Sequence, residues 1–210
     1  TTAHAAAAAA ATAANHQVVG KKRRRPRTSA PKRMVNPFST FYSQQLNLPT
    51  QWSDCFENPA LPVTIDVGCA RGTMLDLLAE KHPARNFVGI EIRPKLVEEA
   101  NERNQSRPNV HFIAGNFSSM EAKRLIDSFQ GICPIEWICF QFPDPWRKKK
   151  KQQRRRILQQ GLVDVLASSC EIGTRIYVST DVKDLAVDNR TLLAGSPQLK
   201  LVVEEVEEGG

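Results

Sequence analysis

From residue 61 onward, short runs rich in Val, Ile and Phe alternate with segments of helical periodicity, and few architectures accept that alternation. Residues 63–67 (Val-Thr-Ile-Asp-Val) read as a buried strand. Residues 73–81 follow, with Met74, Leu75, Leu77 and Leu78 on one helical face. Residues 87–91 form a second expected strand, and Pro94 then opens a helix at its first position, carrying Leu96, Val97 and Ala100. A third strand is expected over 110–114, followed by a helix marked by Ala122, Leu125, Ile126 and Phe129 at i, i+3, i+4 and i+7. Residues 135–142 form a fourth, ended by Pro143, which cannot continue a central ladder. Leu158, Leu162, Val165 and Leu166 define a further helix, 175–179 a fifth strand and 199–206 a candidate sixth. The pattern predicts an α/β fold, a doubly wound and mostly parallel sheet with helices on both faces.

Ligands in such folds bind beyond the carboxyl ends of the strands. The residues expected there are 68–72, 91–93, 115–117, 143–146 and 180–181. The loop after the first strand runs Gly68-Cys69-Ala70-Arg71-Gly72, whose small residues let the backbone turn sharply and approach a ligand. Its G-x-A-x-G spacing differs from the G-x-G-x-x-G that seats a dinucleotide pyrophosphate. Glu91 ends the second strand, where a carboxylate can accept from both ribose hydroxyls of an adenosine; its alternative is a helix-capping or surface acid. Asn116 and Phe117, after the third strand, offer a hydrogen bond and an apolar contact to an adenine, or else a simple turn.

Charge separates two regions from the rest. Eight basic residues fall between Lys21 and Arg33, and eight more between Arg147 and Arg156. These hold 16 of the 29 Lys and Arg, leaving 13 basic against 22 acidic residues elsewhere, a net of −9. An acidic domain with two concentrated cationic runs favours a polyanionic partner. The second run directly follows Phe142-Pro143-Asp144-Pro145-Trp146, so Arg147, Lys148, Arg154 and Arg155 are placed to hold phosphates beside that loop. Trp146 either stacks on a flipped-out base or packs at the sheet edge. Five cysteines without a CxxC pair suggest neither a disulfide framework nor a zinc site, and no metal is expected. No apolar run approaches the roughly 20 residues of a membrane span, so no membrane partner is expected.

Three segments together resemble the tRNA (guanine-N7)-methyltransferase family: the 68–72 loop, Gly89-Ile90-Glu91-Ile92-Arg93, and the P-D-P-W motif with its basic run. Residues 35–39 (Val-Asn-Pro-Phe-Ser) also resemble an element preceding the fold in bacterial and plastid members. The resemblance implies a Rossmann-like class I methyltransferase that uses S-adenosylmethionine to methylate a variable-loop guanine of tRNA. It implies that Asp66, Glu91 and Asn116 contact the cofactor, with Gly68, Gly72, Arg93 and Phe117 around it. Asp144 would line the active centre, and Lys148 and Asp181 would meet the tRNA. Guanine N7 carries an in-plane lone pair, so no base need remove a proton; Asp144 is expected to act by charge and positioning.

The chain departs from the family at Ala70, where a glycine is usual, and at Lys150 or Lys151, where a histidine is common. The family continues to a T-x-x-E element after its sixth strand, while this chain ends Glu204-Glu205-Val206-Glu207-Glu208-Gly209-Gly210, so the last strand is expected to be missing. The organisation expected is a low-complexity basic segment over 1–33, a lead-in over 34–60 and a C-terminally incomplete methyltransferase domain over 61–210. The first fourteen residues contain ten alanines, and no acid precedes Asp54. That head suits a transit peptide, a disordered basic arm or a nuclear signal, and the 35–39 element points to a plastid. The rival readings are an adenine-N6 enzyme, which would show D/N-P-P-Y, a cytosine-C5 enzyme, which needs a Pro-Cys nucleophile, and a tRNA-binding protein without turnover. Cys133-Pro134 has the reversed order and precedes the fourth strand.

Overall fold

The computed structural model describes residues 34–146 and 150–202, the side chains of 150 and 151 excepted. The low-complexity segment 1–33 lies outside the described residues. β1 (Val63–Val67) and β2 (Asn86–Glu91) are buried at every position, polar Thr64, Asp66, Asn86 and Glu91 included, as strands covered on both faces must be. β3 (Val110–Ala114), β4 (Ile135–Gln141) and β5 (Arg175–Ser179) complete a sheet of order β3-β2-β1-β4-β5. Every pairing is parallel. The doubly wound sheet is therefore as expected, and its strand order reverses between β1 and β4, where such sheets open a crevice.

Six helices are present among the described residues: α1 (Thr73–Lys81), α2 (Pro94–Arg103), α3 (Ser119–Phe129), α4 (Lys150–Gln153), α5 (Gln160–Ser169) and α6 (Lys183–Ala194). α1 and α2 cover one face through Leu75, Ala79, Val97 and Ala100, packed on Phe87, Val110 and Phe112. α3 and α5 cover the other through Leu125, Ile126, Phe129, Leu162 and Leu166, packed on Ile65 and Ile138. Each of these fully buried aliphatic or aromatic side chains contributes about 1.5–3 kcal/mol by leaving water.

Three boundaries differ from expectation. β4 stops at Gln141, because Phe142 turns into a left-handed conformation (φ 48°). The helix expected from Leu158 begins at Gln160, with Leu158 buried just ahead of it, and residues 150–153 within the basic run form the separate α4. α6 was not anticipated, although Leu185, Asn189 and Leu192 carry its i, i+4, i+7 signal. Residues 199–202 form no strand; the rest of the expected sixth strand lies outside the described residues.

Residues 34–60 do more than lead in. Leu46, Trp52 and Phe56 belong to the core, and Trp52 stacks on Phe129 with centroids 4.0 Å apart while its indole donates to the Ser128 carbonyl at 3.1 Å. Ser118 caps α3 by accepting from the Glu121 amide, a Ser-x-x-Glu start. The Glu121 carboxylate does not reach back to its cap. It is 3% exposed and accepts the Leu46 amide at 2.8 Å and Arg124 at 2.6 Å. Asn47 donates to the Ala114 carbonyl and Asn116 to that of Gln44, so this segment is laced along the carboxyl end of β3.

Candidate active site

At the carboxyl edge of the sheet, β1 ends in a loop whose Gly68 and Cys69 amides both donate to the Ile90 carbonyl of β2, at 2.8 and 3.0 Å. Gly68 (φ 85°), Ala70 (φ 52°) and Gly72 (φ 70°) are all left-handed, which compresses the turn into five residues. Ala70 adopts this conformation at a cost of about 1–2 kcal/mol, so something must hold it. Its amide donates to Glu91 Oε2 at 3.0 Å. Gly72 has a different reason for lacking a side chain: a Cβ there would sit 2.2 Å from the Phe112 ring. The packing of Phe112 under the loop therefore requires Gly72, whereas a Cβ on Gly68 would meet none of the described atoms within 4 Å.

Glu91 is 3% exposed, which removes its reading as a surface acid. Besides Ala70 it accepts from the Arg93 amide at 3.0 Å, Arg93 Nε at 2.8 Å and an Arg93 terminal nitrogen at 3.1 Å. Four donors match the four lone-pair directions of a carboxylate. Arg93 thus stands where hydroxyls of a ligand were expected. α2 begins with Pro94 at its first position, as expected.

Asp66, at the end of β1, is 5% exposed and faces β4 across the strand-order reversal. Gln141 donates to it at 3.3 Å and also contacts Met74 Sδ at 2.9 Å. Burial pushes the Asp66 carboxyl up to about 6, the Gln141 hydrogen bond offsetting part of that. Gln141 was missed in the sequence; its position one residue before the motif was the only signal.

Asp144 lies in the loop after β4, half-buried. Loss of water raises its carboxyl above the usual range, the charge of Arg93 lowers it, and Glu91 raises it. Arg93 therefore acts on both carboxylates, and Tyr42 from the N-terminal segment acts on Arg93 in turn. Asn116 donates its side-chain amide to the Pro37 carbonyl at 3.0 Å, while Phe117 is 5% exposed and packs against Phe140 in the core.

The motif loop is left-handed at both ends, Phe142 (φ 48°) and Trp146 (φ 42°). The Phe142 amide donates to the Ser179 carbonyl of β5 at 2.9 Å, and its ring is 65% exposed. Trp146 is half-buried, with the Arg155 guanidinium over its ring at 5.0 Å, so one face already carries a cation. Arg154 and Asp181 are exposed; Arg147 and Lys148 lie outside the described residues.

No group of three or more His, Cys, Asp or Glu able to hold a metal occurs among the described residues, nor is any helix there long and apolar enough to cross a membrane. Burial first, then Asp66 and Glu91, raises the Cys69 thiol well above its ordinary value. Burial likewise pushes Cys139 up to about 12 and Cys133 up to about 11. These thiols are poor nucleophiles near neutral pH, and Cys133 precedes β4 at the opposite edge of the sheet.

The family described as "Putative methyltransferase" matches residues 60–209. The tRNA (guanine-N(7)-)-methyltransferase of Thermosynechococcus vestitus is 38% identical over 157 residues, 74% of this chain and 70% of its own length. That of Prochlorococcus marinus subsp. pastoris is 39% identical over 160 residues, 73% of each chain. That of a Synechocystis strain is 34% identical over 165 residues, 78% of this chain and 76% of its own.

Proposed function

The chain belongs to the tRNA (guanine-N7)-methyltransferase family, S-adenosylmethionine-dependent enzymes that methylate guanine N7 in tRNA, and we propose that the carboxyl edge described above is its active site. The observation that carries this reading is the pairing of Arg93 with buried Glu91 at the end of β2, on the same carboxyl edge as the P-D-P-W loop after β4, whose Asp144 feels the Arg93 charge.

The residues present fit the cofactor. Gly68 borders open space, and the buried acids Asp66 and Glu91 give the crevice the negative potential that a ligand bearing a sulfonium and an ammonium requires. When bound, S-adenosylmethionine supplies a methyl group activated on positively charged sulfur. Glu91 would accept from the ribose hydroxyls once the Arg93 guanidinium moves aside, and Asn116 and Phe117 would border the adenine. Asp66 would gain a cationic neighbour and with it a lower proton affinity.

Guanine becomes cationic as N7 is methylated, so an ionised Asp144 lowers the barrier without moving a proton. The prolines on either side limit the conformations of its loop. Arg147, Lys148 and Arg154 would meet phosphates of the tRNA, with Asp181 on the far rim and a guanine of the variable loop as target. The Arg155 cation over Trp146 leaves the opposite face of the indole for a base.

Incubation with bulk tRNA and methyl-labelled cofactor, followed by nucleoside analysis, tests the reading. Label in 7-methylguanosine of the variable loop is expected; label in any other nucleoside refutes it. Binding of tRNA should also weaken steeply with salt, and a flat response would remove the phosphate contacts. The cyanobacterial relatives and the Ala- and Arg-rich head favour a plastid location. A fluorescent protein carrying residues 1–33 should enter plastids, and exclusive nuclear accumulation would overturn that assignment.

A further inference from the structure

The cations after the motif do not form one surface. Arg154 is exposed, but Arg156 has a side chain only 11% exposed and is committed inside the protein. Its Nε donates to the Pro145 carbonyl at 2.9 Å, and Nη1 donates to Asp188 Oδ2 on α6 at 2.6 Å. The carbonyl it holds belongs to the peptide leading into Trp146, the left-handed residue that closes the loop. A bulky residue keeps such a conformation only where its surroundings impose it. At the other end Phe142 is left-handed too, and it is held by Ser179. Asp144 lies midway between these two pinned ends.

We propose that Arg156 is a positioning residue and not a phosphate ligand: braced by Asp188, it fixes the turn through Pro145 and Trp146 and so aims the Asp144 carboxylate. The proposal rests on the role given to Asp144 above. The guanidinium fork is what makes it possible, because one planar group serves a carbonyl and a carboxylate in different directions at once. The single ammonium of a lysine has no such fixed fork. Asp188 also cancels the charge of Arg156, which separates it from cations whose partner is the nucleic acid.

The test uses the whole chain with R156Q, R156K, D188N and, as the phosphate-contact reference, R154Q. For R154Q the slope of log affinity against log salt should fall in magnitude by about one. R156Q should leave that slope unchanged and lower the single-turnover rate at saturating tRNA and cofactor on the order of 100-fold. R156K should restore little of the rate. D188N should lose roughly 5–10-fold, and the double variant R156Q/D188N should be no slower than R156Q, as expected of residues acting as one unit. A salt slope reduced by one in R156Q, or a wild-type rate in D188N, overturns the proposal.

Should R156Q fail to fold, D188N carries the test alone, since its carboxylate is 54% exposed. A second readout does not depend on turnover. The Trp146 indole N–H resonance, identified by W146F, should shift in D188N while those of Trp52 and Trp137 stay in place. An unmoved Trp146 signal overturns the brace. A wild-type chain that methylates no guanine overturns the function of the site instead, and the indole signal still decides whether Arg156 and Asp188 hold the loop.

Discussion

The β1–β2 side of the crevice and the β4–β5 side hold their charge in opposite ways. On the first, Glu91 is buried and saturated by four donors, and the strained Ala70 is tied directly to it. On the second, Asp144 is half-buried, and the charge of Arg93, from the first side, lowers its carboxyl. Strands buried at every position frame the first, whereas β5 is only partly covered. A side that must recognise the same small cofactor every time benefits from a preset arrangement. On the β4–β5 side the Phe142 ring and Arg154 stay exposed, as the proposed contact with a large polyanion would require.

Four substitutions would break or sharpen that contrast. Asp144→Ala should lower the single-turnover rate on the order of 100–1,000-fold while cofactor affinity, measured by calorimetry, stays within a few-fold. Near-normal turnover would remove Asp144 from the chemistry. Glu91→Ala acts on the preset side, orphaning the Ala70 amide and the Arg93 guanidinium, and should cost about 3 kcal/mol of stability in chemical denaturation. A loss below about 0.5 kcal/mol would mean that the four hydrogen bonds do not organise the loop.

Asp66→Asn should have a smaller effect of opposite sign. The folded state raises this acid from 3.8 to about 6, so it binds a proton more tightly than the unfolded chain does. The stability this contributes is complete below the unfolded value and lost as pH rises through about 6. Asparagine needs no proton, so the variant should gain roughly 2 kcal/mol over wild type at pH 7.5 and lose that advantage near pH 4. Equal melting curves at pH 7.5 would show that the crevice is wetter than its burial implies. Arg93→Gln takes two of the four donors from buried Glu91 and so costs stability as well; its specific readout is the pH profile of the folded variant. Asp144 must be ionised, so the rate rises with pH through its raised value, and Arg93 pulls that value down. Without Arg93 the acid limb should move to higher pH. An unmoved limb would show that the two sides are electrostatically independent.

Much of the fold was legible because short runs rich in Val, Ile and Phe, such as residues 63–67 and 87–91, alternate with segments of helical period, the pattern of a parallel sheet covered on both faces. The place of Asp144 was legible because Pro143 cannot continue a central ladder, so Asp144 had to lie past the carboxyl end of β4, which Phe142 already closes. α6 was overlooked, its Leu185, Asn189 and Leu192 pattern being short and interrupted by a buried polar residue. Trp52 offered no periodic signal, since it lies in a 3-10 turn and is buried by stacking on Phe56 and Phe129.

Periodicity and motif order were sufficient for the sheet and the family. Each of these depends on spacing along the chain. How the charged groups divide their work depends on contacts between residues far apart in it. Arg147 to Arg156 reads as a single cationic run, and only packing against α6 assigns Arg156 to Pro145 and Asp188 while leaving Arg154 exposed. Likewise Gly72 reads as a ligand-side glycine alone until Phe112, forty residues later, supplies a second reason for its missing side chain. Burial and hydrogen-bond geometry set these roles, because the same guanidinium or missing Cβ serves a ligand or the protein according to what lies within about 3 Å of it.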